Sequence, residues 1–394
     1  MRLDQATRPL TALDATARHE IYVLDGRGYR TRLLTDFSSL SYSLSTRDTG
    51  GLTLELPYEH AATIPDYSIV ELWRRDGERA PRFVECFILV SRPQGLGSRG
   101  TPFLTLSGPT LTGYVVSDKR IVQALSLPSG AAVSISTPGA RTGALDDVAK
   151  LYMSDALSAW DDDSGERNWL TRLNLTMAAN LGQLPRSRVT ASLTPARSVL
   201  TDIQSRAEQS TMGARRMYYR VRPAFFDPLA LRFETLTGRY GQDRGVDAAL
   251  PVVLSQANGT LGPVEVEDDR MSEVNSVLVK YTSNGITKLT RITDTRRARM
   301  AAAAFREGFY SASAATRNEA EAEARYSLSQ GKPRRMVRST ATPSALIRPL
   351  VDYHLGDVVV VEALGRRWEA ELTALTGGEG QAVQLRLDEW YDLT

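Results

Sequence analysis

Short segments in which apolar and polar residues alternate dominate the first hundred positions of the chain. Residues 40–44 and 52–56 carry a leucine or tyrosine at every second position, which is the two-residue period of a half-buried strand. Further strand-like segments, separated by Gly and Pro turns, lie at 21–24, 69–73, 83–90 and 103–107. Short strands at this spacing predict a small β-barrel or sandwich over residues 19–108.

Helical periodicity follows residue 108 and predicts three helices. The first lies within residues 143–160 and has an apolar face formed by Leu145, Val148, Leu151 and Tyr152. The second begins at Thr194 and Pro195, a capping residue followed by proline at the first helical position. Its apolar stripe is formed by Val199, Leu200, Ile203 and Ala207. The third, over residues 317–330, is predicted as an exposed helix with a small face of Ala320, Ala324 and Leu328.

Strand patterns return between and after these helices. They lie at 216–221, 229–236, 252–254, 274–281, 358–362, 368–375 and 382–390. Turns are predicted at Ser283-Asn284-Gly285 and at the glycine pair Gly377-Gly378. The chain is therefore predicted to be an α+β, β-rich, multidomain protein that begins and ends in β structure.

Five segments follow from this organisation. Residues 1–18 are polar, patternless and interrupted by Pro9, which predicts an arm without a core of its own. The other predicted units are a β-barrel-like domain at 19–108, a mixed helix-containing domain at 109–193, a helix-then-sheet unit at 194–285, and a helix with closing β segments at 286–394.

Composition and charge exclude several functional classes. At 394 residues, with 42% hydrophobic and 24% charged residues, the chain can bury more than one core. A formal net charge of +2 gives no overall field for gathering DNA or anionic membrane. A single Cys86 allows no intrachain disulfide. Without a signal-peptide pattern or a run of about 18 apolar residues, we expect a soluble protein with no membrane insertion.

The sequence contains none of the common catalytic signatures. There is no G-x-S-x-G elbow, phosphate-binding loop or H-E-x-x-H motif. His19, His60 and His354 lie far apart, and we interpret each as a surface or turn residue. The sequence thus predicts no catalytic, cofactor-binding or metal-binding residue, and no cofactor.

Two acidic clusters have a functional and a structural interpretation. The segment Asp161–Glu166 has a glycine at its fifth position, whereas a calcium-binding EF-hand loop needs it at the sixth. We expect a solvated loop. Glu265, Glu267, Asp268 and Asp269 could serve a glycosidase, but Glu265 and Glu267 alternate with valines, as on the outer face of a strand.

The only local basic concentration is Arg291–Arg299, with adjacent arginines at 296–297, together with Arg334-Arg335. These side chains could bind phosphate if they shared one surface, but Asp294 and Glu307 offer salt bridges instead. Large aromatic residues in predicted strands are expected to fill a core or an interface rather than stack on bases. They are Trp73, Trp368 and Trp390.

Beyond these patterns, four segments in order along the chain resemble the hub proteins at the tail tip of siphophages. The first is Ile69–Arg92, a strand ending in Trp-Arg-x-Asp-Gly with a hairpin and return strand, continued by Thr105–Val122. The second is the predicted helix and strand of Ala196–Arg220, leading into Leu231–Asp243. The others are Met271–Gly285 and Asp352–Leu375, in which Leu-Gly-Asp precedes a strand, a turn and a strand.

The resemblance implies a baseplate-hub fold with two small β-barrels, built mainly by the opening and closing β segments, plus helix-containing domains. It implies a homotrimeric ring at the virion tail tip, assembled in the host cytoplasm. The ring would join the tail tube or distal tail protein to a central fibre or spike. Its channel would admit the tape-measure protein and, in transit, the genome DNA.

Two alternatives stay open at this point. The chain could be a tail-associated cell-wall or glycan hydrolase that uses the acids near Glu265, since some hub relatives carry a peptidoglycan-degrading domain. It could also be a nucleic-acid channel protein that uses Arg291–Arg299. The chain ends at Thr394, soon after the predicted closing barrel, and we therefore expect no lytic domain in it.

Overall fold

The computed structural model describes residues 18–25, 28–75, 80–97, 100–122, 140–158, 169–191, 194–211, 216–224, 227–271, 273–301, 303–311, 316–342, 347–379 and 381–389. Most of the predicted arm, the acidic loop Asp161–Glu166 and Trp390 lie outside these residues. The protein is a β-rich α+β chain, as predicted.

The elements of the first part of the chain are β1 (Arg18–Leu24), β2 (Arg30–Leu34), β3 (Ser39–Ser45), β4 (Gly51–Pro57), α1 (Tyr58–Ala61), β5 (Ile69–Arg75), β6 (Arg82–Ile88), β7 (Gln94–Leu96) and β8 (Pro102–Pro109). Then follow α2 (Leu111–Val115), β9 (Ile121–Val122), β10 (Ala140–Ala144), α3 (Leu145–Leu157), α4 (Trp169–Arg172), β11 (Leu175–Met177), β12 (Arg186–Thr190), β13 (Thr194–Pro195), α5 (Ala196–Ser210), β14 (Arg216–Ala224) and β15 (Asp227–Gly238).

The remaining elements are β16 (Asp243–Arg244), β17 (Val253–Ser255), β18 (Leu261–Asp269), β19 (Ser276–Ser283), β20 (Ile286–Thr293), α6 (Thr295–Ala298), β21 (Glu307–Ser311), α7 (Arg317–Gln330), β22 (Arg334–Ala341), β23 (Val358–Ala363), β24 (Arg366–Gly378) and β25 (Gln384–Glu389). The alternating segments of the sequence thus form strands, because each buries every second side chain.

The first core lies between two sheets. One has the strand order β2-β1-β5-β6, and the other runs β18-β22-β25-β24-β3-β4-β8-β7, with β23 branching from β24. Apolar side chains from both sheets form one buried cluster that includes Ile21, Leu54, Leu72, Leu106 and Leu372. The opening and closing β segments therefore share a core.

The pairing of β3 with β24 joins the two ends of the chain. Leu44 lies opposite Leu375, and Tyr42 lies opposite Gly377. Strands from the first and last of the predicted units thus form one sheet, while the predicted unit boundaries themselves stay predictions. In the described residues the pairings form open sheets, so the two closed barrels also stay a prediction.

The second core is built by α3, α5 and the short strands around them. Leu145, Ala149 and Ala156 of α3 are buried, as are Leu200 and other residues of the predicted α5 stripe. The prediction for Leu151 was wrong, since this side chain is 40% exposed. Successive helical residues turn by about 100°, and Leu151 therefore lies on the far side of α3 from the buried stripe.

The predicted start of α5 was wrong by one residue. Thr194 does not cap the helix, because it belongs to β13, where it pairs with Val122 of β9. Pro195 is the N-cap, and the backbone N–H of Ala196 donates to the carbonyl of Arg120. The start of α5 is thus held by backbone bonds to the segment around β9, and not by the side-chain cap that the sequence predicts.

The third core is small and belongs to the sheet β20-β19-β21. Helix α7 covers one face of this sheet with Ala320 and Ala324, which pack against Val277, Val279 and Tyr281. The predicted Asn284-Gly285 turn is present, with φ values of 52° and 76°, and it joins β19 to β20. Helix α7 begins with a capping box in which Thr316 and Glu319 bond each other's backbone N–H.

The turn predicted at Gly377-Gly378 was wrong. Both glycines belong to β24, as its last two residues, and pair with β3. A Cβ at Gly377 would lie 2.6 Å from the hydroxyl oxygen of Tyr42, and one at Gly378 would lie 2.4 Å from the carbonyl oxygen of Leu40. The glycine pair thus permits close approach between strands rather than a reversal of the chain.

None of the helices in the described ranges has the length and apolar composition needed to span a bilayer.

Candidate functional site

The acids proposed for glycan hydrolysis lie on an exposed strand. Glu265 and Glu267 point outward from β18 and are exposed, as their alternation with valines predicts. On the neighbouring strand β22, Arg338 lies 3.4 Å from Glu267 and Arg335 lies 2.9 Å from Asp268. These carboxylates therefore sit on a flat, arginine-rich strand surface rather than in a cleft.

Metal binding has no support within the described ranges, where no group of three or more His, Cys, Asp or Glu side chains could hold an ion. The acidic loop Asp161–Glu166 lies outside those ranges. The expectation of a solvated loop there stays a prediction.

The basic segment makes local ion pairs. Arg291 lies 3.0 Å from Glu307 on the neighbouring part of the β20-β19-β21 sheet. Arg297 lies 2.8 Å from Asp294, the N-cap residue of α6, and also donates to the carbonyls of Gly331 and Leu328. Arg335 belongs to a different strand, β22, and pairs with Asp268. Salt bridges within the chain thus engage arginines that could otherwise bind phosphate.

His19 is a correction to the interpretation of all three histidines as surface or turn residues. It is buried, and its Nδ1 lies 2.7 Å from the carboxylate of Glu379, which also accepts the His19 backbone N–H. His60 and His354 keep partly exposed side chains. His19 lies on β1, so its bond to Glu379 is a second link between the two ends of the chain.

The tryptophans fill packing positions. Trp73 is half-buried, its indole N–H donates to Glu71, and the guanidinium of Arg30 lies 4.6 Å from its ring centroid. Trp368 packs against the first core, with Arg335 over its ring. Both agree with the expectation of core or interface packing.

A buried carboxylate explains the Leu-Gly-Asp motif that precedes β23. Asp357 accepts the backbone N–H of Gln242 at 2.6 Å and that of His354 at 2.8 Å, and it pairs with Arg244 at 3.1 Å. Gly356 has a φ of 82°, and a Cβ there would lie 2.6 Å from the Cβ of Tyr240. The motif therefore fixes the loop that begins at Tyr240 against the closing sheet.

A second buried carboxylate joins the first core to the second. Glu371 of β24 accepts the hydroxyl of Tyr218 at 3.2 Å and lies 3.5 Å from Arg216, both on β14. Burial raises the pKa of Glu371, and the charges of Arg216 and Arg47 oppose that rise. This contact could not be predicted from the sequence, because Glu371 occupies an ordinary polar position of an alternating strand.

One cleft lies between the first and second cores and has a volume of about 280 Å³. Polar side chains dominate its lining, including Arg47, Glu85, Arg197, Tyr219 and Tyr240. Burial raises the pKa of Glu85 to about 7, although the backbone N–H of Cys86 and the charge of Arg220 favour the ionised form. The cleft thus contains a carboxyl group that changes charge near neutral pH.

We predict that Glu85→Gln makes the protein more stable at pH 8 by roughly 1 to 3 kcal/mol. In the folded protein Glu85 holds its proton up to about pH 7, whereas the unfolded chain loses it near the ordinary value of 4.5. Its contribution to stability is therefore present below pH 4.5 and is lost as the pH rises towards 7. Urea unfolding at pH 5 and pH 8 measures the difference between the wild type and the variant.

The exposed Glu265→Gln is the matched control for this measurement and should leave the pH dependence unchanged. Equal pH profiles for Glu85→Gln and the wild type would show that Glu85 titrates normally.

No model of a known protein family matches the sequence, and no curated protein matches it either. Solved structures do. The chain is similar to the tail protein from Neisseria meningitidis MC58, with a TM-score of 0.60 and 15% identity, over 94% of this chain and 97% of that one. It is also similar to the 43 kDa tail protein of prophage MuSo2 from Shewanella oneidensis, with a TM-score of 0.55, 11% identity, and coverage of 95% and 98%.

A third similar structure is the prophage tail protein gp18 from Listeria monocytogenes, with a TM-score of 0.52 and 13% identity, over 94% of each chain. At such identities the likeness establishes the fold alone. The chain therefore has the fold of phage tail proteins over nearly its whole length. The resemblance drawn from the four sequence segments is confirmed at the level of the fold.

Proposed function

We propose that this protein is a structural hub in the baseplate or tail tip of a long-tailed phage. The observation that carries the proposal is end-to-end similarity, because two tail proteins, one of them from a prophage, are matched over 97% and 98% of their own length as well as over most of this chain. Function then resides in shape and in contacts with other tail proteins.

The proposed assembly is a ring of three copies. The ring joins the tail tube or distal tail protein to a central fibre or spike, and its channel passes the tape-measure protein and then the DNA. A long shared core between two sheets supports this role, since a connector must transmit load without unfolding. The siphophage type, the trimer and the neighbouring proteins belong to this proposal.

Light scattering of the purified protein over a range of concentrations tests the proposed ring. We expect a mass of three times 43.3 kDa. A monomer at every concentration, together with absence of the protein from purified tails by antibody labelling, would contradict the proposed function.

We also propose that the protein acts without catalysis. The acids that could have served a hydrolase lie on an open strand beside arginines, whereas glycosidases hold two carboxyl groups across the bond that they cleave. Purified protein should therefore cause no turbidity loss of bacterial cell walls. Lysis that Glu265→Gln or Glu267→Gln abolishes would overturn this expectation.

A further inference from the structure

Exposed apolar side chains concentrate around the third core. Of the seventeen large hydrophobic residues that are exposed in the described part of the chain, six lie between residues 271 and 309. They are Met271, Ile286, Leu289, Met300, Phe305 and Phe309. Such a concentration on a small unit is typical of an interaction site rather than of scattered surface residues.

Two of these residues lie on the face of the β20-β19-β21 sheet that helix α7 leaves uncovered. Phe309, 66% exposed, is directly opposite Leu278 in the strand register. Leu289, 60% exposed, is opposite Lys280. We call Leu278, Lys280, Leu289, Arg291 and Phe309 the open face. Side chains at these positions point away from α7, because their strand neighbours Val277, Val279 and Thr290 are buried beneath it.

The open face is positively charged. Arg291 pairs with Glu307, at the edge of the same sheet. Lys280 lies at the centre of the face and makes no ion pair with a described residue. An apolar surface with a central, uncompensated cation fits a partner that offers aromatic or aliphatic side chains next to carboxylates.

Residues 36–67, in the N-terminal part of the chain, offer exposed carboxylates together with exposed aromatic side chains. The side chain of Glu59 on α1 is 83% exposed, and those of Asp36 and Asp66 are also largely exposed. Two exposed tyrosines, Tyr58 and Tyr67, are the sequence neighbours of Glu59 and Asp66. Asp66 pairs with Arg92, while the ion pairs of Asp36 and Glu59 among the described residues are with His60, to whose carbonyl Arg32 donates. We call these three acids and two tyrosines the acidic patch.

Tyr67 adds a further sign of an interface. Its φ of 61° places a bulky residue in the left-handed region, which is strained for any residue other than glycine. Its backbone N–H is held by the carbonyl of Leu89, and its side chain is exposed. The surrounding backbone hydrogen bonds hold this conformation, and they present an aromatic side chain to the outside.

We infer that the open face of one copy binds the acidic patch of the next copy. A closed ring of identical chains with head-to-tail contacts requires two different, complementary surfaces on each chain. The open face and the acidic patch are complementary in charge, and both contain exposed apolar side chains. This inference rests on the proposed ring and names the surfaces that would close it.

A charge swap tests the inference. Lys280→Glu reverses the centre of the open face, and Asp36→Lys with Glu59→Lys reverses the two acids of the patch whose ion-pair partner is a histidine. Each change alone places like charges together and should weaken association at least about tenfold. The chain with all three substitutions should associate again, because opposite charges face each other at every contact of the ring.

Association is measured by light scattering and by co-purification of two differently tagged copies mixed after expression. Arg366→Glu, an exposed reversal on the β23–β24 hairpin outside both surfaces, is the matched control and should leave association unchanged. Recovery in the combined variant also shows that the separate variants were folded.

The remaining outcomes separate a wrong assignment of the open face from a failure of the proposed function. If the wild type forms trimers and Lys280→Glu does not weaken them, the ring stands and the assignment of the open face is wrong. If Lys280→Glu trimers form but fail to enter tails, the open face binds another tail protein, and the inference is overturned. If wild-type copies do not associate at all and are absent from tails, the proposed function itself fails.

Discussion

Replacing Asp357 by alanine is expected to lower the free energy of unfolding by about 3 to 5 kcal/mol, because the change leaves a partly buried arginine and two backbone N–H groups without their acceptor. The carboxylate is buried and accepts from Gln242, His354 and Arg244. Urea unfolding at pH 7, followed by circular dichroism, measures the loss.

The control for Asp357 is Asp243→Ala in the same loop. Asp243 accepts the backbone N–H of Gly245 and pairs with Arg239, but its side chain is 46% exposed. Solvent screens such pairs, so we expect a loss of about 1 kcal/mol or less. Equal losses for the two variants would show that Asp357 is not an organising contact of the closing sheet.

Gly108→Ala is expected to destabilise the protein by about 3 kcal/mol or more. The added methyl group would meet the backbone of the neighbouring segment, which cannot move aside as a flexible side chain can. A Cβ at this position would lie 1.7 Å from the carbonyl oxygen of Ile88 and 3.2 Å from the Cα of Leu89. Gly108 lies near the end of β8, between Ser107, which bridges to Ser91, and Thr110, which bridges to Phe87 of β6. Thermal and urea unfolding measure the effect.

Gly51→Ala on the neighbouring strand β4 is the matched control. Its Cβ would lie 3.5 Å from the carbonyl oxygen of Gly108, which is ordinary contact. We expect a change of about 1 kcal/mol or less, since both glycines lie in the same sheet and differ only in what their Cβ would meet. If both variants unfold alike, the close approach of the two sheets at Gly108 does not limit stability.

The strands that bury alternate side chains could be predicted from the sequence with good fidelity. Residues 40–44 and 52–56 lie within β3 and β4, and the Asn284-Gly285 turn closes the β19–β20 hairpin. These features depend on residues close together in the sequence. The strands show as a two-residue period, and the turn shows as an Asn-Gly pair that tolerates positive φ. The overall fold was predicted from the resemblance of four sequence segments to phage hub proteins.

Apart from Leu151, whose position on the helix was misjudged, the wrong predictions concern contacts between distant parts of the chain. Thr194 pairs with β9, Gly377 lies against Tyr42, and His19 bonds Glu379, 360 residues away. Threonine, glycine and histidine commonly serve as a cap, a turn residue and a surface residue. In this protein a contact with a distant segment determines the position of each instead. A local sequence pattern does not show which distant segment will pack against a residue.

The candidate interfaces were even less visible. Leu278, Leu289 and Phe309 are expected core residues of strands by composition, and only the placement of α7 shows that one face of their sheet stays uncovered. Charge clusters were predicted more reliably. Arg291 does pair with Glu307, as the flanking acids suggested.

The pairing between β3 and β24 sets an order for synthesis on the ribosome. Strand β3 is among the first to leave the ribosome, yet its partner follows more than 320 residues later. Until then β3 exposes an unsatisfied edge and half of its apolar face, which favours premature association. The first core can therefore close only after the last strands have been made, and the proposed ring could be built only from chains in which they have formed.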